Sequence, residues 1–185
     1  GDVRPGTQYP IRDEDLAVRL SYFLWGLPPD PQLRELAERG ELSDADELEE
    51  QVRRMLADPR AEALGPRFAA QWLRLQDLDK VHPDVRLEPD FHQQLADAML
   101  EETERFFTSI VREDRPMFDL YSADYTYLNE RLAVHYGIEG VTGDDFRRVS
   151  YPDDSRRGLL GHASVLTLTS HAGRTSPVLR GKWVM

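Results

Sequence analysis

The chain contains no cysteine in its 185 residues, which excludes disulfides, thiolate catalysis, cysteine-based zinc sites and covalent haem attachment within it. Long apolar runs and low-complexity repeats are missing as well, so neither a membrane span nor a fibrous architecture is indicated. A basic excess is also missing: the net charge is −11, and a phosphate-binding face needs the opposite sign, which argues against general nucleic-acid binding. Signal and transit peptides are absent too, but the chain opens on Gly1 and closes on "GKWVM" without a stopping signal, so it reads as a segment of a longer protein.

What is present suits a helical protein. Hydrophobic residues make up 40% and charged residues 31%, on a chain long enough to bury a core without a metal or a disulfide. Charge is unevenly placed. From Ser155 onward there are five basic residues (Arg156, Arg157, Arg174, Arg180, Lys182) and no Asp or Glu, which leaves 18 basic against 34 acidic residues, or −16, before it.

Periodicity predicts an all-α protein: an irregular multi-helix bundle of about six helices, followed by the truncated start of a second, basic helical module. Asp13 is expected to cap a first helix whose apolar positions are Leu16, Leu20, Phe23 and Leu24, with Trp25 closing that face and Gly26 stopping it. Asp30-Pro31 and Gly40 bracket a second helix, and Ser43 with Asp46 opens a third with Leu48, Val52, Met55 and Leu56 buried. Residues 60–75 form a helix that Gly65-Pro66 must break, with Phe68, Trp72 and Leu75 on one face. The longest helix spans about 90–112, burying Phe91, Leu95, Met99, Phe106 and Ile110. An aromatic loop then leads to a helix over about 126–136 ended by Gly137. "FRRVSYP" reads as a short extended segment, "SRRGLLGHASVLTLTS" leans to helix through Leu166, and Ser176-Pro177 starts a last helix.

The stretch "SHAGRTSPVLRG", Ser170 to Gly181, is the anion-binding candidate: His171, Arg174, Thr175, Ser176 and Arg180 combine donors, a planar guanidinium fork and the first N–H groups of a helix. The alternative is that Ser176 only caps the helix and Arg174 pairs with one of the many carboxylates of the acidic body. Asp77, Asp79, His82, Asp84, Glu88 and Asp90 form an acidic connector without calcium-loop spacing, so they read as solvated charges. Glu101, Glu102 and Glu104 lack the Glu-x-x-His partners of a di-iron bundle and read as a solvated helix face. His135 reads as a surface residue at a helix end and His162 as a partly buried one. Nothing resembles a Gly-x-Ser-x-Gly elbow, and no metal site is expected. Phe118, Tyr121, Tyr125, Tyr127 and Tyr136 read as packing between helices.

Two stretches carry a family resemblance: "LAVRLSYFLWGLPPDPQLRELAERGEL" through "DYTYLNERLAVHYGIEGV", and "RRGLLGHASVLTLTSHAGRTSPVLRGKWV". Together they resemble two adjacent uncharacterised modules of large planctomycete-type bacterial proteins, the domains of unknown function numbered 1592 and 1588. The first would cover residues 11–149 and the second 155–185, truncated. The resemblance implies a secreted, periplasmic or extracellular parent chain with cytochrome c-type domains. Haem c would then sit in neighbouring domains, with no cofactor in this segment, which has no Cys-x-x-Cys-His motif. The expected function is a non-catalytic interaction or scaffold module whose partners are other domains of the parent chain, a cytochrome c domain among them. The alternative is a catalytic or binding module for an anionic or glycan substrate using the Ser170–Gly181 loop. Gly65-Pro66 departs from the continuous helix that the resemblance implies.

Overall fold

The computed structural model describes residues 10–81, 86, 89–171 and 173–185. Helix accounts for 61% and strand for 7%, so the all-α expectation holds. The helical regions are nonetheless cut into more and shorter pieces than the six expected. The chain divides into two compact units, one up to Leu64 and one from Gly65.

In the first unit, α1 (Asp13–Leu24), α2 (Pro31–Arg39) and α3 (Ala45–Ala57) precede a 3₁₀ turn over Pro59–Ala63. Leu24, Trp25, Leu33, Leu42 and Met55 form its core. Trp25 is 2% exposed; its indole N–H donates to Met55 O at 2.9 Å, and the Arg60 guanidinium lies 3.5 Å from its ring centroid. Asp13 does not cap α1. It is the first helical residue, and its carboxylate accepts the Ser43 N–H at 3.2 Å. Asp44, not Ser43, caps α3 by accepting the N–H groups of Asp46 and Glu47, and Phe23 is 52% exposed rather than buried.

Asp30 works as read from the sequence and does more. It accepts the Leu33 N–H at 3.0 Å as the α2 cap and the Arg54 guanidinium at 2.8 Å, tying α2 to α3. Asp30→Ala is expected to destabilise the protein by about 2 kcal/mol in urea unfolding, and Asp30→Asn, which keeps the cap, to recover part of that. A loss below about 0.5 kcal/mol for the alanine variant would show the tie to be idle.

The second unit opens on the expected break, which takes the form of a π-helical turn over Gly65–Ala69 running into α4 (Ala70–Trp72). A Cβ on Gly65 would lie 2.7 Å from Thr108 Oγ1, so the glycine permits close approach to α5 (Gln93–Arg112). Leu75 is buried as expected, whereas Phe68 and Trp72 are 38% and 49% exposed and stack on each other with centroids 5.9 Å apart. After α5 come α6 (Asp119–Ser122), β1 (Tyr125–Leu128), α7 (Glu130–Tyr136) and β2 (Arg147–Ser150). β1 pairs antiparallel with β2, Tyr125 opposite Ser150 and Leu128 opposite Arg147. The extended reading of "FRRVSYP" is therefore met, but the helix expected from Thr126 begins only at Glu130. Thr126 to Leu128 are strand, and Asn129 caps α7 by accepting the Leu132 N–H at 3.0 Å.

α8 (Gly158–Gly161) and α9 (Ala163–Leu168) flank an extended His162, and the β3 (Ser170–His171) and β4 (Arg174–Thr175) hairpin leads into α10 (Pro177–Val184). Trp183 anchors this last helix by donating its indole N–H to Leu73 O at 3.1 Å. Among the described residues no helix is long and apolar enough to cross a membrane.

Candidate functional site

The hairpin sets the geometry of the anion candidate. β3 and β4 pair antiparallel with His171 opposite Arg174 and Ser170 opposite Thr175, so the imidazole and guanidinium residues are cross-strand neighbours. Ser170 is tied down by its hydroxyl, which donates to Leu166 O at 2.6 Å. Ser176 caps α10: its hydroxyl accepts the Leu179 N–H at 3.3 Å and the residue is only 8% exposed. One turn on, Arg180 keeps a buried Nε that has no hydrogen-bond partner among the described residues.

His171, Arg174 and Thr175 line a cleft of about 570 Å³; Ser176 and Arg180 do not. Val81, Phe91, Met99, Ala163 and Leu166 give the same lining its apolar groups, and Arg156 and His135 add polar ones. Among the described residues no carboxylate lines this cleft. Within the second unit no described carboxylate pairs with Arg174, in contrast to Arg157, which pairs with Asp154, and Arg148, which pairs with Glu113 at 3.2 Å. Arg156 is positioned by donating one nitrogen to Gly161 O at 2.8 Å and by lying 4.4 Å from the Tyr136 ring centroid. Its other nitrogens have no partner among the described residues. The cleft thus combines two permanent positive charges with an apolar wall.

A second cleft of about 360 Å³ is lined by Trp72, Asp77, Leu179, Lys182 and Trp183 among others. Asp77 is held there by Arg74 and Lys80, each at 2.7 Å. Asp77 is thus ion-paired and only partly exposed, not simply solvated. Asp79 and Asp90 are exposed, and His82, Asp84 and Glu88 lie outside the described residues. No group of three or more potential metal ligands occurs among the described residues.

Behind Arg156 and Ala163 lies a buried polar network that corrects the reading of the glutamates on α5. Glu101 does face outward, paired with Arg105 at 2.7 Å, but Glu102 is 0% exposed. Its carboxylate accepts the hydroxyls of Thr126 and Tyr136, each at 2.6 Å, and the Tyr136 oxygen in turn accepts the Ala163 N–H at 2.7 Å. Burial pushes the Glu102 carboxyl up to about 7, against the pull of the two hydroxyls and the Arg156 charge. The positional signal was available: Glu102 falls on the stripe of Leu95, Met99 and Phe106, not on the solvent face.

His162 is fully buried rather than partly so. Its Nδ1 lies 3.0 Å from Thr103 Oγ1, which is 2.7 Å from Ser164 Oγ, and its ring meets Phe106 edge-on. Burial, with the Arg156 charge, pushes its imidazole down to about 3. His135 is exposed, as expected, and borders the cleft. Of the aromatic loop, Tyr125 packs in the core at 2% exposure, but Phe118 and Tyr121 are 81% and 53% exposed. α6, which Phe118 precedes and which contains Tyr121, buries only Leu120.

Neither the curated proteins nor the solved structures yielded a match to the chain. The model of one family, PSD4, described as "Protein of unknown function (DUF1592)", matches residues 11–138. That span contributes Val81, Phe91, Met99 and His135 to the cleft, and the rest of the lining lies beyond it. With more than two thirds of its length matched, the chain belongs to the DUF1592 family.

Proposed function

We propose that this segment is a non-catalytic docking module whose basic cleft receives a carboxylate or similar anion presented by a neighbouring domain of its parent chain. Arg174, which pairs with no carboxylate among the described residues and lines a cleft that has none among its described lining, carries this reading: a solvated guanidinium beside apolar groups can form a charge-assisted, bidentate pair with an incoming anion. The commitment of the Ser170 hydroxyl to Leu166 O supports binding over nucleophilic chemistry. In this reading the parent is a large secreted or periplasmic bacterial protein of planctomycete type, residues 155–185 begin a module like the domain of unknown function 1588, and the partner is a cytochrome c-type domain offering a haem propionate. The alternative, a catalytic or binding module for an anionic or glycan substrate, draws on the same pairing of His171 with Arg174.

Titration with acetate and with sulfate at low salt tests the reading. Arg174→Ala is expected to weaken binding about tenfold or more, through loss of a charged hydrogen bond. Ser176→Ala, which removes only the cap, should lower the melting temperature and leave binding unchanged. Equal affinities for the Arg174→Ala variant and the parent chain would refute it.

A further inference from the structure

We infer that the ligand of this cleft is an amphiphilic carboxylate, an anionic head on an unbranched or aromatic apolar body, rather than a bare small anion. The inference rests on the anion reading of the same cleft and adds the chemistry of its apolar lining. A site for a bare anion needs only donors. Here the lining holds donors, on the β3–β4 hairpin and at Arg156, together with apolar side chains, of which the half-buried Val81, Phe91 and Leu166 present surface. A volume of about 570 Å³ lies within the roughly 300–1,000 Å³ of cavities that hold drug-sized organic ligands. It far exceeds the roughly 30 Å³ share of one water molecule, which sets the scale for a hydrated small ion.

The apolar wall is held by the core. Met99 is 1% exposed and Leu166 half-buried, one on α5 and the other on α9. The Thr167 hydroxyl sits 3.7 Å from Met99 Sδ, stitching these two helices together where they line the cleft. An apolar surface of that kind is already formed before any ligand arrives, so covering it with methylene groups carries no ordering penalty for the protein. The guanidinium of Arg174, which also lines the cleft, selects for a charged head, since an uncharged head would leave its donors without an anionic partner.

A chain-length series of acetate, butyrate, hexanoate and octanoate, with octanol as the uncharged control, tests this by calorimetry at low salt on the full 185-residue chain. Affinity is expected to rise about fourfold per added methylene until the wall is covered, and octanoate should bind far more tightly than octanol. Phe91→Ser and Leu166→Asn, each checked for an unchanged melting profile, should flatten the rise with chain length while leaving acetate affinity intact. Arg174→Ala should lower all the carboxylates together. Octanoate binding no better than acetate overturns the amphiphile inference and leaves the anion reading standing. Octanol matching octanoate, or no carboxylate binding at all, overturns both.

Discussion

In urea denaturation between pH 4 and 8, Glu102→Gln and His162→Gln are expected to tilt the stability of the protein in opposite directions. Burial raises the Glu102 carboxyl from 4.5 to about 7, so its contribution is fully present below pH 4.5 and is lost as pH rises through about 7. Burial lowers the His162 imidazole from 6.5 to about 3, so its contribution is fully present above pH 6.5 and is lost as pH falls towards 3. Between pH 4.5 and 6.5 the folded protein keeps its proton on Glu102 and the unfolded chain keeps it on the imidazole. The two states then hold the same number of protons, and the opposing slopes cancel.

Removing either group unmasks the other. Glu102→Gln should leave a protein that loses up to about 3 kcal/mol between pH 6.5 and 4, and His162→Gln one that loses about 3 kcal/mol between pH 4.5 and 7. The Tyr136 hydroxyl, which burial holds well above its ordinary range, remains protonated throughout and keeps donating to Glu102. Two variants whose stability profiles run parallel to the parent's would show that the pair does not exchange a proton on folding.

Gly158→Ala is expected to be the most damaging small substitution in the second unit. Gly158 has φ +56°, and a Cβ there would stand 2.4 Å from Leu120 O and 2.6 Å from Tyr121 Cα. The obstruction is backbone and cannot turn aside as a side chain would. A left-handed alanine already costs about 1–2 kcal/mol, and displacing α6 from the start of α8 takes the total above about 4 kcal/mol. Gly40→Ala is the control, since φ is +71° but nothing lies within 4 Å, and only about 1 kcal/mol should be lost. Thermal melts of the two variants decide the matter: similar midpoints would mean that α6 and α8 can part without consequence.

Local signals were legible where a short run of residues carries its own geometry. Asp30-Pro31 and Ser176-Pro177 each bring cap and φ restriction to the start of a helix, Gly40 adds the stop signal for the first, and both helices form as read. Tyr125 to Leu128 were not legible as strand, because the partner that makes them so is Arg147 to Ser150, some twenty residues on, and an aromatic run before a helix has no distinctive period of its own. At the site, the hairpin residues His171, Arg174 and Thr175 stand out in the sequence because donors and a guanidinium fork fall together there with no carboxylate among them. The apolar wall escaped because Phe91, Met99 and Leu166 each look like ordinary core positions, and only the tertiary arrangement turns them towards a common space. Arg156 escaped for a related reason: its role depends on Gly161 O and the Tyr136 ring, neither of which sequence spacing relates to a cleft.

The environment of Trp25 gives the first unit an optical signature of its own. It is the sole tryptophan before Gly65, sealed from solvent beneath the Arg60 guanidinium, whereas Trp72 in the second unit is half open to water. With Trp72 and Trp183 replaced by phenylalanine, the remaining emission reports on one unit alone. Its quenching by dissolved iodide then measures how often that unit opens, separately from the unit that holds the cleft.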